Sequence, residues 1–143
     1  MTRQRRARDE RGTVTAFVAV MTIAMLVVAG LVIDGGYTLA ARRRAFNEAN
    51  AAARAAAQAI DESSLRSTGA VRLRPEDARR IAEQHLQDAG MTGTVTVNAT
   101  TVTVHAVTTQ SMAILGIIGI GPLTVEADGT ARAVQGVQAG DQP

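Results

Sequence analysis

The feature that most constrains this chain is an uncharged apolar run from Thr13 to Ile33, "TVTAFVAVMTIAMLVVAGLVI". As an α-helix this run would rise about 31 Å, which matches a hydrocarbon core of roughly 30 Å. The apolar core of a cleaved secretory signal is usually only about 7–15 residues long. We therefore predict a transmembrane helix over residues 13–33. Cleavage after Ala40, in "YTLA", is an alternative that would remove this helix.

The charges at the two ends of this run predict its orientation. Residues Met1 to Gly12 carry five Arg against Asp9 and Glu10, whereas Arg42–Arg44 follow the run only at a distance. The side of a membrane that carries more Arg close to the span is usually cytoplasmic. We therefore expect a cytoplasmic basic tail over residues 1–12 and a single-pass protein of the cell membrane with an extracytoplasmic C-terminal domain.

Five charged residues mark the expected membrane boundary: Arg11, Asp34, Arg42, Arg43 and Arg44. Two interpretations of Asp34 remain open. Its carboxylate either ends the apolar span among hydrated headgroups or pairs with an Arg of a neighbouring subunit at the membrane surface.

Residues 34–61 are rich in alanine and are predicted to continue the helix beyond the membrane. One amphipathic face recurs at intervals of three or four residues and forms the expected packing face: Phe46, Ala49, Ala53, Ala56 and Ile60. Alanine favours helix and allows another element to approach closely. This face covers either the protein's own sheet or another subunit, and the sequence leaves both open.

Residues 62–135 are predicted to form a small extracytoplasmic α+β domain. Ser63–Gly69 resembles a loop, and Pro75 and Gly90 are typical of the start and end of a second helix. Alternating Thr and Val predict strands over residues 94–97 and 101–107. Together with a strand after Pro122, they make an antiparallel sheet of about three strands.

The Asp128-Gly129 pair resembles a hairpin turn, but the register argues against one. A two-residue hairpin there would place Arg132 on the same core-facing side as Val125, whereas a continuous strand keeps small apolar residues on that side. The apolar segment 112–120 is too short to span a bilayer. We expect a short helix or buried turn over residues 111–118 that lies on the sheet, with a partner-binding hook or a membrane-surface anchor as alternatives. The tail 136–143 is expected to be disordered.

No residue pattern in the chain indicates catalysis. The chain has no Cys, which excludes thiolate metal sites and cysteine nucleophiles, and its histidines His85 and His105 lie on separate predicted elements. Glycine-rich phosphate loops and nucleophile motifs are missing from the sequence. We therefore expect no enzyme activity, no metal, no cofactor and no small-molecule substrate. Nucleic acid is not an expected partner, because the basic tail lacks aromatic residues and any groove-reading motif.

The stretch from Arg11 to Asp61 resembles the N-terminal domain of TadE/TadG-like proteins of Flp (Tad) pilus assembly systems. Four features carry the resemblance: Arg11-Gly12 before the span, Asp34-Gly35 at its end, Arg42–Arg44, and the Asn- and Ala-rich block from Asn47 to Ala57. The segment "LGIIGIGPLTVEADGTARA" is also similar to the end of the short actinobacterial members.

This resemblance implies a role and a processing site. Gly12 and Thr13 would flank a leader-peptidase cleavage, but the fifth residue after Gly12 is Phe17, where Tad pseudopilins carry Glu, so we expect the tail to be retained. The implied function is that of a minor pilin-like or assembly subunit of a Tad/Flp-type pilus or secretion apparatus. Its expected partners are membrane lipids and other pilus-assembly or pilin-like subunits, and homo-oligomers are left open.

Two other functions remain as alternatives. The chain could be a secreted or membrane-anchored binding module unrelated to pili. It could also be a membrane regulator whose arginine tail contacts anionic lipids or a cytoplasmic partner.

Overall fold

The computed structural model describes the backbone of residues 3–134 and the side chains of residues 12–134. The tail 136–143, predicted to be disordered, and the side chain of Arg11 lie outside these residues. The elements follow one another as α1 (Arg3–Ala56), α2 (Glu62–Thr68), α3 (Pro75–Asp88), β1 (Thr92–Val97), β2 (Thr101–Gln110), a 3-10 turn (Leu115–Ile118) and β3 (Leu123–Arg132). The α+β class is therefore confirmed.

The described chain divides into two compact units. The first contains residues up to Tyr37 together with Ser111–Pro122, and the second contains Thr38–Gln110 together with the residues from Leu123 onward. Helix α1 contributes residues to both units.

In the first unit, α1 carries the apolar run and continues through Gly35 and Gly36. Among the described residues, one helix is long and apolar enough to cross a membrane, and it is this one. Each glycine costs about 1 kcal/mol relative to alanine in a helix interior, which a helix of this length tolerates.

In the second unit, α1 ends at Ala56 rather than near Asp61. The chain then forms an isolated antiparallel bridge between Ile60 and Leu73, and the backbone N–H of Asp61 donates to the carbonyl of Arg72 at 2.8 Å. These contacts take the backbone out of the helix and tie its end to the segment before α3.

The loop predicted for Ser63–Gly69 is wrong, because the structure has helix α2 there. The side chain of Asp61 accepts hydrogen bonds from the backbone N–H groups of Ser63 and Ser64, which caps the first turn. Gly69 ends the helix in the left-handed conformation, at φ 70°. A capped seven-residue helix therefore forms from a segment whose composition is typical of a loop.

Helix α3 and the three strands confirm most of the predictions for the second unit. Pro75 begins α3, and Ala78, Ala82 and Leu86 are buried. The strands pair antiparallel in the order β1-β2-β3. The turn between β1 and β2 is closed by the N–H of Asn98, which donates to the carbonyl of Thr101 at 2.8 Å.

Strand β3 is continuous through Asp128-Gly129, as predicted. Gly129 pairs with Val104 of β2 in unbroken register, so there is neither a hairpin nor a bulge at that point. One face of the sheet is buried, and its core residues include Val102, Val104, Ala106 and Val125. The opposite face carries Thr, His and acidic side chains.

Candidate functional site

The first candidate site is the surface of α1 along its apolar run. Large apolar side chains are exposed all around this part of the helix, including Val20 at 68%, Met25 at 66% and Val32 at 70%. A helix that is apolar on every side and largely uncovered by its own chain is typical of a segment that lies in lipid or against other helices. This surface can bind apolar partners and has no polar group suited to chemistry.

Asp34 lies at the end of this run and is almost completely buried, with 2% of its surface exposed. Its carboxylate accepts three backbone N–H groups: that of Ala113 at 2.8 Å from Oδ1, that of Leu115 at 2.7 Å from Oδ2, and that of Ile114 between both oxygens at 3.1–3.2 Å. The carboxylate therefore caps the start of the 3-10 turn from the side of α1.

This arrangement differs from both interpretations of Asp34 drawn from the sequence. The side chain is almost completely buried, and the contacts described here are to the backbone of its own chain. The expectation that residues 111–118 lie on the sheet is also corrected, since these residues belong to the same unit as the apolar part of α1. A buried carboxylate needs partners, and the free amides at the start of a helical turn supply them.

The three arginines at 42–44 point in more than one direction. The guanidinium of Arg44 donates to the carbonyl of Ala89, at the end of α3, at 3.1 Å. Helix C-termini attract cations because their last carbonyls lack partners. Arg42 and Arg43 instead line an open groove in the second unit, opposite Glu126 and Asp128 of β3.

This groove is the second candidate site, and we call it the α1–β3 groove. Its volume is about 640 Å³, and its walls are lined by Leu39, Arg42, Arg43, Phe46, Asn47, Glu126, Ala127 and Asp128. Leu39 and Phe46 are 53% and 55% exposed, so the groove has apolar surface as well as charged residues of both signs. The arrangement suits a protein segment that offers an apolar side chain flanked by polar groups.

The predicted packing face of α1 is divided between two locations. Ala49, Ala53 and Ala56 are fully buried in the core of the second unit, where Ala49 lies directly against Gly129. Phe46 does not share this burial and lines the α1–β3 groove, while Ile60 is only partly buried and forms the bridge to Leu73. The alanines therefore cover the protein's own sheet.

Both histidines are paired with carboxylates. His85 Nε2 of α3 lies 3.1 Å from Glu48 Oε2 of α1, and both side chains are about one-third exposed. On the open face of the sheet, His105 Nδ1 lies 2.7 Å from Asp128 Oδ1, with Glu126 at 3.8 Å from Nε2. Within residues 12–134 no group of three or more His, Cys, Asp or Glu side chains has a geometry that could hold a metal ion.

The predicted processing site is the peptide bond between Gly12 and Thr13. Gly12 and Thr13 lie within α1, and both are exposed. Both residues are therefore accessible to another protein.

The α1–β3 groove was not predicted from the sequence, although one signal for it was present. Leu39, Arg42, Arg43 and Phe46 recur at spacings of three and four residues, which places them on one helix face. Glu126 and Asp128 lie opposite this face only because of the fold of the second unit. Their position could not be predicted from residue spacing.

Residues 12–59 match the family model described as putative Flp pilus-assembly TadE/G-like. This range begins at Gly12, contains the whole apolar run and the alanine face, and ends just before α2. The resemblance inferred for Arg11 to Asp61 is confirmed by this match. No curated protein and no solved structure matches the chain.

Proposed function

This chain is TadE/G-like over residues 12–59, and from that premise we propose that it is a single-pass membrane component of a Tad/Flp-type pilus assembly or secretion apparatus. It acts as a minor pilin-like or assembly subunit, by packing and protein contact rather than by catalysis. Its N-terminal tail lies in the cytoplasm and its second unit lies outside the cell membrane. The observation that carries the proposal is the exposed apolar helix within the matched range.

The apolar run supports membrane insertion. Its exposed Val, Leu, Ile and Met side chains would be costly in water, since burial of apolar surface is worth about 25 cal/mol per Å². Lipid tails and neighbouring apolar helices both remove this surface from water. The exposed alanines of the run also permit close contact between helices in the membrane.

The α1–β3 groove supports a second kind of contact, beyond the lipid. Leu39 and Phe46 are separated from the apolar run by Asp34 and flank Arg42 and Arg43, so they lie where headgroups and water begin. Two exposed apolar side chains beside paired charged rows fit a partner subunit of the same apparatus better than they fit lipid. We place the contact with pilin-like subunits, or with a second copy of this chain, in this groove.

The contacts of Asp34 argue against the alternative of a secreted module made by cleavage after Ala40. Such cleavage would remove the carboxylate that accepts the N–H groups of Ala113, Ile114 and Leu115. It would also remove the helix surface around Gly30 against which Ile114 lies. A mature protein without these residues would leave three backbone donors to find other partners.

Site-specific photo-crosslinking in cells tests the proposed contact. A photoreactive phenylalanine analogue in place of Phe46 is expected to crosslink to another envelope subunit or to a second copy of this chain. The same analogue at Glu83, an exposed position of α3 away from the groove, is the matched control. Crosslinks from position 83 alone, or from neither position in cells that express the whole apparatus, would count against the groove as the contact surface.

The function itself is tested separately, by deletion of the gene and by its neighbourhood. Deletion is expected to abolish pilus assembly or secretion in cells whose adjacent genes encode a secretion ATPase and inner-membrane platform proteins. A normal pilus or secretion phenotype in the deletion strain would contradict the proposal. Amino-terminal sequencing of the mature protein then distinguishes retention of the tail from a mature end at Thr13 or near Ala41.

A further inference from the structure

The segment Ser111–Pro122 has an unusual surface for a loop. Ile117 is 84% exposed, Ile118 is 63% exposed and Ile120 is 48% exposed, and no charged residue interrupts the segment. Isolated apolar residues at the surface are normal, but several adjacent isoleucines form a patch of the kind that marks a contact site. We call this segment the isoleucine loop.

The isoleucine loop packs against the apolar part of α1. A side-chain carbon placed on Gly30 would lie 2.9 Å from Cγ2 of Ile114 and 3.2 Å from Cδ2 of Leu115, so the absence of a side chain at Gly30 lets the loop lie against the helix. Leu115 is buried by this contact. Gly30 precedes Asp34 by one helical turn, which places the contact about 6 Å further into the apolar run.

Six backbone N–H groups of the loop donate to acceptors within the protein, so these groups do not need water. Irregular backbone is excluded from lipid unless its N–H and C=O groups are paired within the protein. Asp34 accepts the N–H groups of Ala113, Ile114 and Leu115, and the N–H groups of Ile117, Gly119 and Ile120 donate to carbonyls within the loop at 3.1 Å. The loop therefore presents apolar side chains outward and keeps these amides inside.

We propose that the isoleucine loop lies in the membrane beside α1, with Ile117, Ile118 and Ile120 among the acyl chains of one leaflet. Asp34 holds the loop at this depth by accepting its amides. The exposed isoleucines belong to the same unit as the exposed apolar run of α1, which on the proposed function faces lipid. The inference rests on the proposed membrane span of α1 and adds a second, shallower contact with the bilayer.

This placement gives Asp34 a positioning role. A carboxylate at the edge of the hydrocarbon is costly unless it is hydrogen-bonded, and three amide donors supply this compensation. The hydrogen bonds hold the first residues of the isoleucine loop against α1. They also keep the charge of Asp34 buried although it lies near the lipid.

Spin-label depth measurements on the full chain in lipid nanodiscs test the proposal. Because the chain has no Cys, a single Ile118→Cys substitution carries the only label. Val28→Cys reports the span itself, and Thr96→Cys on the exposed face of β1 is the control outside the membrane. The ratio of collisions with oxygen to collisions with a water-soluble nickel chelate is expected to be similarly high at 118 and 28, and low at 96.

Each other outcome has a defined meaning. A low ratio at 118 with a high ratio at 28 overturns the loop placement and leaves the span intact. A label at 118 that is shielded from both reagents shows a protein contact instead of lipid, and it also overturns the inference. Low ratios at both 118 and 28 contradict the membrane span and, with it, the proposed function.

The role of Asp34 is tested in the same labelled background. Adding Asp34→Ala to Ile118→Cys is expected to lower the ratio at 118, because the loop loses its amide acceptor and moves toward water. Thr124→Ala, an exposed substitution on β3, is the matched control and should leave the ratio unchanged. If Asp34→Ala leaves the ratio at 118 unchanged while the label at 28 remains in lipid, Asp34 does not hold the loop in the membrane.

Discussion

Gly129 lies in β3 where the backbone of α1 comes into direct contact with the sheet. A side chain at this position would overlap the backbone of Ala49 and Asn50. Ala49 on the helix side is itself fully buried. The contact between α1 and the sheet therefore depends on the two smallest residues meeting at one point, which allows backbone to pack on backbone.

We expect Gly129→Ala to destabilise the second unit by about 1–3 kcal/mol, because the added methyl group forces the helix and the sheet apart. Thermal unfolding of the full chain in detergent, followed by circular dichroism, measures the loss. Gly36→Ala, at a position with no neighbouring atom within 4 Å, makes the same chemical change as a control and should leave the melting temperature unchanged or raise it. Equal melting temperatures for wild type and Gly129→Ala would contradict the close contact.

Asp61 links the end of α1 to the start of α2. The Ser63 hydroxyl, followed by the backbone N–H of Ser64, holds the pKa of the Asp61 carboxyl below its usual value. A lowered pKa in the folded state means that this cap contributes its full stability above the pKa of the unfolded chain, about 3.9, and loses it as the pH falls through the folded value.

The melting temperature of the wild type is therefore expected to fall more than that of Asp61→Asn between about pH 6 and about pH 3. Asparagine still offers an oxygen to the capped amides but does not titrate in this range. Glu83→Gln, which removes a charge from an exposed position of α3, serves as the control and should follow the wild type. Parallel pH curves for wild type and Asp61→Asn would show that the cap does not contribute to stability.

Single residues also show where sequence reasoning ends. The partner of Asp34 lies about 80 positions along the chain, so no local pattern could reveal that its carboxylate binds the amides of residues 113–115. The apolar character of residues 112–120 was evident, but the element against which they pack was not. Gly129 differs, since the alternation of small residues in β3 predicted an unbroken strand through it.

At the scale of elements, the predictions succeeded where one local rule determines the structure. The period of two in the alternating Thr and Val residues predicts β1 and β2. Pro75 and Gly90 predict the two ends of α3. Helix α2 was missed because its Ser- and Thr-rich sequence is typical of a loop, and because its helical state depends on the side chain of Asp61. The end of α1 was misplaced because the bridge from Ile60 to Leu73 is a tertiary contact.

The alanine face of α1 should not tolerate larger side chains. We expect Ala53→Leu to destabilise the second unit by about 1–3 kcal/mol, since Ala53 is fully buried and the added side chain has no space. Ala40→Leu is the matched control, because Ala40 is exposed on the same helix and leucine has similar helix propensity. Chemical unfolding in detergent micelles measures both variants, and an undiminished stability of Ala53→Leu would mean that the face is not packed in solution.

The burial of Ala49 and Ala53 determines how partner contacts on α1 should be tested. Substitutions of Ala49 or Ala53 would weaken association simply by unfolding the second unit, so they cannot identify an interface. The exposed residues Leu39 and Phe46 are the suitable targets, because their replacement removes contact surface without disturbing the core.

At the scale of the whole molecule, one helix carries two different surfaces in succession. Its first part is apolar on all sides, and its later part buries small residues against the sheet while it exposes Leu39 and Phe46. The family match covers both parts and ends before α2. The matched range therefore contains both kinds of surface.

The orientation of the chain is the prediction that concerns the whole molecule. With more Arg before the span than close after it, the tail should be cytoplasmic and the sheet extracytoplasmic. Because the natural chain has no Cys, a single Cys at position 130 or 7 reports one side of the membrane. A membrane-impermeant maleimide added to intact spheroplasts should label Thr130→Cys at once and Ala7→Cys only after permeabilisation. The reverse pattern would place the sheet inside the cell, where it could not contact pilin-like subunits as they assemble.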